Sequence, residues 1–215
     1  GLCTNHLSHS GLANVIVTNR CDLTCWYCFF YVKKGLEGAY MYEPTQDQVR
    51  AMMKTLRAER PIPGNSMQIT GGEPMAQKQP CLDLMIELCN RGYNISLETS
   101  GSIDLKEVDK RVSKVMDLKA PDSGEMAKNH YQNIQYLNHK DEVKFVVMSR
   151  RDYDWAKMQI DEFELASKTN IIISPCFGEI DETMLDEWII QDNLPVRFQI
   201  QMHKKVHSYA RNKRL

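Results

Sequence analysis

Asn19-Arg20-Cys21-Asp22-Leu23-Thr24-Cys25-Trp26-Tyr27-Cys28-Phe29-Phe30-Tyr31 sets three cysteines at C-x3-C-x2-C spacing directly after the apolar run Val15-Ile16-Val17. Three thiolates on one loop can hold three irons of a four-iron cubane and leave the fourth iron open to another ligand. A structural zinc site calls for four protein ligands. Cys3 and His6 stand too far upstream, and Cys81 too far downstream, to complete one at useful spacing. A C-x2-C redox motif would leave Cys21 unexplained. Counting ligands therefore favours a [4Fe-4S] cluster on Cys21, Cys25 and Cys28 over zinc.

Working outward, the run before the loop predicts a buried strand over 13–18, so that the cysteines hang from its C-terminal end. Residues 1–12 carry no periodicity and read as an irregular arm. Downstream, Pro44-Thr45 with Gln48 makes a capping-box start, and Val49, Met52, Met53 and Leu56 fall on one helical face. A strand follows over 67–70, then a helix with Leu82, Met85, Ile86 and Cys89 on its inner face, closed by Gly92. The alternation continues with strands over 94–98, 112–118, 143–147, 171–174 and 196–202. Helices are expected near 105–108, 130–137, 152–163 and 182–190. Phe145-Val146-Val147 and Ile171-Ile172-Ile173 are apolar on both faces, as a parallel sheet covered by helices requires. The expected fold class is α/β: an open, partial TIM-type barrel of parallel strands with helices outside, since six or seven strands are too few to close one. In such folds chemistry collects at the C-terminal ends of the strands.

Gly71-Gly72-Glu73-Pro74 follows the second strand at once; glycines there let backbone approach a ligand, and amides beside a carboxylate suit a zwitterionic amino acid. Glu98-Thr99-Ser100-Gly101, Asp117-Leu118-Lys119 and Ser174-Pro175 end later strands with polar groups. A loop start or a helix cap would account for each taken singly; their recurrence at one kind of position points to a rim that binds. In the last strand Val196, Phe198, Ile200 and Met202 alternate with Arg197, Gln199, Gln201 and His203, and His203 falls at its end.

The 215 residues are 42% hydrophobic, enough for one good core, and no Gly/Ser/Pro-rich linker divides them, so a single domain over 1–215 is expected. A formal net charge of -1 gives no general attraction to nucleic acid or anionic membrane, and no apolar run is long enough for a membrane span. Seven cysteines, an odd number with three in a cluster, fit a reducing cytoplasm. Cys81 and Cys89 flank a helix and read as packing residues.

The cysteine spacing, with Tyr27 beside the last thiolate, resembles the radical S-adenosylmethionine superfamily. The resemblance implies S-adenosylmethionine chelated to the open iron by its amino and carboxylate groups and cleaved reductively to a 5′-deoxyadenosyl radical. It also implies cofactor contacts at Tyr27, Gly71, Gly72 and Glu73. From about residue 71 to 205, TGGEPMAQ, SLETSGSIDLKEVDKRVSKVMDLKAP, VKFVV, RRDYDWAK, ISPCFGEID and LPVRFQIQMHK resemble the 7-carboxy-7-deazaguanine synthases. That family implies a carbon-nitrogen lyase in the queuosine pathway. Its substrate is 6-carboxy-5,6,7,8-tetrahydropterin, contracted to 7-carboxy-7-deazaguanine with loss of ammonia. On its pattern Thr70, Glu98, Gln201 and His203 face substrate, with Glu98 and His203 catalytic, while Asp117, Leu118, Lys119, Ser174 and Pro175 face the cofactor. Partners implied are the small pterin, an electron donor such as flavodoxin, and a second copy of the chain.

Residues 1–74 depart from that pattern. The Leu-Gln-Gly-Glu-Gly strap is missing, and Phe29-Phe30 stand where the family has a hydroxyl that binds magnesium, which puts Mg2+ in doubt. GLCTNHLSHSGLANVIVTNRCDLTCWYCFFY and YEPTQDQVRAMMKTLRAERPIPGNSMQITGGEP resemble instead the archaeal tetraether lipid synthases. The two resemblances meet in Ile69–Pro74, as a fusion would. The alternatives that follow are lipid radical coupling, and an iron-sulfur module that binds without turnover.

Overall fold

The computed structural model describes the backbone of residues 3–8 and 11–18 and all atoms of residues 66–200. The chain divides into two compact units, Gly1–Lys114 and Val115–Leu215.

In the first unit, β1 (Cys3–Ser8) runs antiparallel to β2 (Gly11–Thr18), with Cys3 opposite Val15, Leu7 opposite Leu12 and an irregularity between Thr4 and Leu7. The expected irregular arm over 1–12 is thus corrected. Backbone hydrogen bonds to a neighbouring edge need no side-chain period, so a short polar strand covering β2 leaves no apolar signature. On its other side β2 pairs in parallel with β3 (Ser66–Gly71), from Ala13 opposite Ser66 to Thr18 opposite Gly71. β3 pairs in parallel with β4 (Asn94–Thr99). The crossover between them is helix α1 (Lys78–Asn90), which buries Cys81, Leu82, Met85, Leu88 and Cys89. Those five fall at helical spacing around Met85, which is fully buried at the centre of the stripe. Ile86, expected on that face, lies past its edge and is 40% exposed.

The helix expected near 105–108 is absent. Asp104 Oδ1 accepts from the Lys106 amide at 3.0 Å and Asp109 Oδ1 from the Arg111 amide at 2.8 Å. Such local side-chain acceptors offer the backbone an alternative to the helical ladder. Leu105 and Val108 are buried all the same.

In the second unit β5 (Ser113–Leu118), β6 (Glu142–Val147), β7 (Asn170–Pro175) and β8 (Arg197–Phe198) pair in parallel, each with the next. Helix α2 (Arg150–Glu162) is capped by Ser149, whose hydroxyl accepts from the Asp152 amide. It buries Tyr153, Ala156 and Ile160, and sets Trp155 edge-on to Phe145 with ring centroids 5.9 Å apart. A short helix α3 (Leu165–Lys168) leads into β7, and α4 (Glu182–Gln191) is capped by Asp181. Tyr153 docks on α4, its hydroxyl donating to the Trp188 carbonyl at 2.8 Å and to Asp192 Oδ2 at 2.7 Å.

Two further expectations are corrected. Over 130–137 the chain forms a 3-10 turn, Tyr131–Tyr136, with Asn133 N bonded to His130 O at 2.9 Å. Asparagine and tyrosine are weak helix formers, so nothing local drives the longer α-helical pitch. Of the strand expected over 196–202, the described residues 196–200 form strand only at Arg197–Phe198, continued by one bond from Gln199 N to Ile173 O at 3.0 Å, and residues 201 and 202 lie outside the described residues. The next donor along β7 would be Pro175, which has no N–H; the Gln199 carbonyl takes the Ser174 hydroxyl at 2.6 Å instead. The alternation itself holds, with Val196, Phe198 and Ile200 half-buried and Arg197 and Gln199 exposed. The expected helix over 45–56 lies outside the described residues.

Candidate active site

The parallel register brings the ends of β2 and β3 level: Thr18 stands opposite Gly71, so the cysteine segment leaves its strand beside the glycine turn. Cys21, Cys25, Cys28, Tyr27, Phe29, Phe30, Gln201 and His203 lie outside the described residues. Gly71 has φ +139°, a conformation that L side chains rarely adopt, which is why the turn needs glycine there.

Glu73 is wholly buried. Its carboxylate accepts from the Met75 amide at 2.9 Å, from the Thr99 hydroxyl at 2.9 Å, and from the Ser100 amide and hydroxyl at 2.6 and 2.5 Å. The side chain expected to meet a ligand thus ties the turn after β3 to the end of β4. Thr99 and Ser100, which the sequence places in a polar strand end, are the other half of this strut.

Alternation along β3 and β4 buries Met67, Ile69, Ile95 and Leu97 and leaves Gln68, Thr70, Ser96 and Glu98 on the other, half-buried face. There the two oxygens of Glu98 are engaged separately: Oε2 accepts from the Thr70 hydroxyl at 2.8 Å, and Oε1 from the Gln68 side-chain amide. Thr70 and Glu98, both predicted, meet. Gln68 was missed, although it stands two residues before Thr70 and so shares its face.

In the second unit Asp117 ends β5 on the half-buried face and Lys119 follows, its ammonium 3.0 Å from Asp117 Oδ2. Lys144 on β6 is in register with Asp117. Burial alone would raise the Asp117 carboxyl, yet Lys119 and Lys144 bring it below its ordinary value. The backbone at Lys119 is clamped by Asn129, which accepts from its amide and donates to its carbonyl, each at 2.9 Å. The Leu118 side chain belongs to the core, and Ser174 and Pro175 are buried at the end of β7. Lys144 and Asn129 went unnoticed in the sequence; Lys144 carried a signal, as a charge inside the apolar strand VKFVV.

Burial, aided by the nearby Glu73 charge, pushes the Cys81 thiol up to about 12. Cys81 and Cys89 are buried on the inner face of α1 and Cys176 is buried after β7, where each packs as a small apolar side chain. Among the described residues no helix is long and apolar enough to cross a membrane.

The model of the Radical SAM superfamily matches residues 15–122. The 7-carboxy-7-deazaguanine synthase of Chlorobaculum tepidum is 36% identical over 193 residues, 86% of this chain and 81% of its own length. That of Koribacter versatilis is 33% identical over 212 residues, 92% of this chain and 89% of its own. Such shares run across Ile69–Pro74, so the likeness to this family is not confined to residues 71–205. A 7,8-dihydro-6-hydroxymethylpterin dimethyltransferase of Methanocaldococcus jannaschii is 40% identical over 110 residues but covers only 20% of that protein. Among solved structures, QueE from Escherichia coli superposes with a TM-score of 0.64 at 17% identity, covering 93% of this chain and 91% of that one. Streptococcus suis SuiB bound to S-adenosylmethionine superposes with a TM-score of 0.55 over 87% of this chain and 49% of its own. These two likenesses bear on fold alone, and the fold is the expected one: α/β, an open partial barrel of parallel strands.

Proposed function

The chain belongs to the radical S-adenosylmethionine superfamily and, within it, to the 7-carboxy-7-deazaguanine synthases, and from that footing we propose that it converts 6-carboxy-5,6,7,8-tetrahydropterin to 7-carboxy-7-deazaguanine with loss of ammonia. The observation that carries this reading is the level ending of β2 and β3, with Thr18 opposite Gly71, because it starts the three-cysteine segment beside the Gly71-Gly72 turn. The donor set fits the groups the family uses. Three thiolates suit a site-differentiated cluster, and a turn whose carboxylate is already internally bonded offers its backbone to the amino group of methionine.

When bound, the cluster and S-adenosylmethionine supply a carbon-centred radical able to abstract hydrogen from the substrate. The chain's own residues hold and orient. Glu73 keeps the glycine turn rigid against β4 through Thr99 and Ser100. Glu98 accepts N–H donors of the bound ring, and Asp117 with Lys119 presents a fixed carboxylate for ribose hydroxyls, where preset geometry lowers the entropic part of the barrier. His203 and Gln201 complete the substrate side, and the Ser174 hydroxyl ties the chain just past β8 to β7 through the Gln199 carbonyl. An external one-electron donor of the flavodoxin type, a cytoplasmic location and a dimer of the chain belong to the same reading.

Two features of the sequence qualify the rate. Magnesium prefers oxygen ligands, and Phe29-Phe30 offer none, so turnover is expected to be unchanged on adding Mg2+. The missing strap removes groups that grip the ring; each buried polar atom left unmatched costs about 1–3 kcal/mol, so two such losses weaken binding about a hundredfold. Turnover is therefore slower than in strapped relatives, with much 5′-deoxyadenosine formed without product. The test is anaerobic reconstitution with iron and sulfide, then dithionite, S-adenosylmethionine and the pterin. Accumulating 5′-deoxyadenosine together with deazaguanine supports the reading; no 5′-deoxyadenosine at all would leave a binding module.

A further inference from the structure

Gln68 has no part in the motifs by which the site was found, yet it is bonded to a carboxylate assigned to substrate. Its side-chain amide donates to Glu98 Oε1 while the Thr70 hydroxyl donates to Oε2 at 2.8 Å. All three side chains stand on the half-buried face of β3 and β4, with Gln68 one alternation nearer the strand starts than Thr70. Gln68 pairs in register with Ser96, one alternation before Glu98, so it reaches the carboxylate from the strand-start side. Thr70 reaches it from the adjacent strand.

A carboxylate oxygen has two lone-pair directions. With one donor fixed on each oxygen, the plane of the Glu98 carboxylate is set and one acceptor direction remains on each. A single donor would leave the group free to rotate about its last torsion, which is broad for glutamate. Two donors from one neighbouring strand remove that freedom before a ligand arrives, and preorganisation of this kind is what converts contact into affinity. The remaining acceptors match N–H groups. They repel an anionic end, whose oxygens would meet acceptors only.

We propose that Gln68 is a positioning residue that fixes the Glu98 carboxylate, so that this part of the site selects the N–H-bearing ring end of a ligand and excludes its carboxylate end. The inference rests on the pterin reading above and adds to it how a molecule with both ends is oriented.

The experiment is isothermal titration of the anaerobically reconstituted full chain, with S-adenosylmethionine present and no reductant, so that nothing turns over. One probe is 6-carboxy-5,6,7,8-tetrahydropterin. The other is quinoxaline-2-carboxylate, a bicyclic acid with no N–H donor. The wild-type chain is expected to bind the pterin at least tenfold more tightly. In Gln68→Met, of similar length and without a donor, pterin affinity falls about tenfold, while affinity for the quinoxaline acid stays the same or rises. Thr70→Val behaves in the same way, which guards against one variant failing to fold. A loss of generic packing would weaken both probes together, and that result, or an unchanged pterin affinity in both variants, overturns the proposal. Failure of the wild-type chain to bind the pterin at all would overturn the substrate reading and this inference with it.

Discussion

At the ends of β3 and β4 two carboxylates are held by neutral donors, whereas at the end of β5 one carboxylate is held by cations. Glu73 takes its bonds from Met75, Thr99 and Ser100, and Glu98 takes its own from Gln68 and Thr70. Asp117 instead meets the Lys119 ammonium and stands in register with Lys144. Neutral donors on strands and turns fix direction, because each bond is short and its partner has little freedom. Lysines fix charge, because an ammonium on a long stem contributes potential more than geometry. The first region is thus built to orient and the second to balance charge, and each can be perturbed separately.

The largest effects belong to the cysteine segment that leaves β2 beside the first region. Alanine at Cys21, Cys25 or Cys28 is expected to abolish the brown chromophore after anaerobic reconstitution and all 5′-deoxyadenosine formation. Cys81→Ala keeps both, since its thiol is buried and its proton held up to about 12. Absorbance near the thiolate-to-iron band and iron per chain are the measurements. A full four-iron complement in Cys25→Ala would break the assignment.

Next comes the strut. Glu73→Ala strands donors from Met75, Thr99 and Ser100 in a buried site. Buried groups without partners cost about 1–3 kcal/mol each, and partial relaxation brings the expected total to about 4 kcal/mol. The urea midpoint reads it. Thr99→Val, which removes one donor and leaves the acceptor bonded by others, is expected to cost about 1 kcal/mol.

The cation-held region is read by pH. Burial opposes but Lys119 and Lys144 prevail, so the folded Asp117 carboxyl lies below its ordinary 3.8. Its stabilisation is present above that value and is lost as pH falls through the lowered one. Asp152, buried at the start of α2 and accepting from the Asp122 amide at 2.9 Å and the Met148 amide at 3.1 Å, is raised by that burial. Its contribution has the opposite sign: present below 3.8 and lost as pH rises through the raised value. In urea midpoints taken from pH 7 downward, Asp117→Asn should make the acid loss shallower than wild type and Asp152→Asn should make it steeper. Equal slopes in the two variants would contradict the contrast.

Smallest is Arg197→Ala, which removes an exposed pair with Glu142 at 2.8 Å. Exposed ion pairs contribute about 0–1 kcal/mol, so the midpoint is expected to move within that range.

Much of this was legible because strands of a parallel sheet are apolar runs, and the runs at Met67, Val143 and Ile171 all became strands. The strand-end residues were legible for the same reason: once a run ends, the next polar residue is at the rim. What escaped depended on partners distant in sequence. Gln68 shares a face with Thr70 and Thr99 stands in a polar strand end, but their bonds to Glu98 and Glu73 carry no signal until β3 and β4 lie side by side, and the irregular chain at 199–200 follows from Pro175 on another strand. The absent helix at 105–108 escaped for a local reason, two aspartates that capture backbone amides.

The central claim is that the strand ends serve a pterin. The most direct test gives the reconstituted chain dithionite, S-adenosylmethionine, and 6-carboxy-5,6,7,8-tetrahydropterin together with an archaeal diether lipid in one vessel, with all products quantified by mass. The account predicts 7-carboxy-7-deazaguanine, formed slowly and in less than one equivalent per 5′-deoxyadenosine, with the lipid unchanged. Coupled lipid, or 5′-deoxyadenosine with no deazaguanine at any pterin concentration, would contradict it.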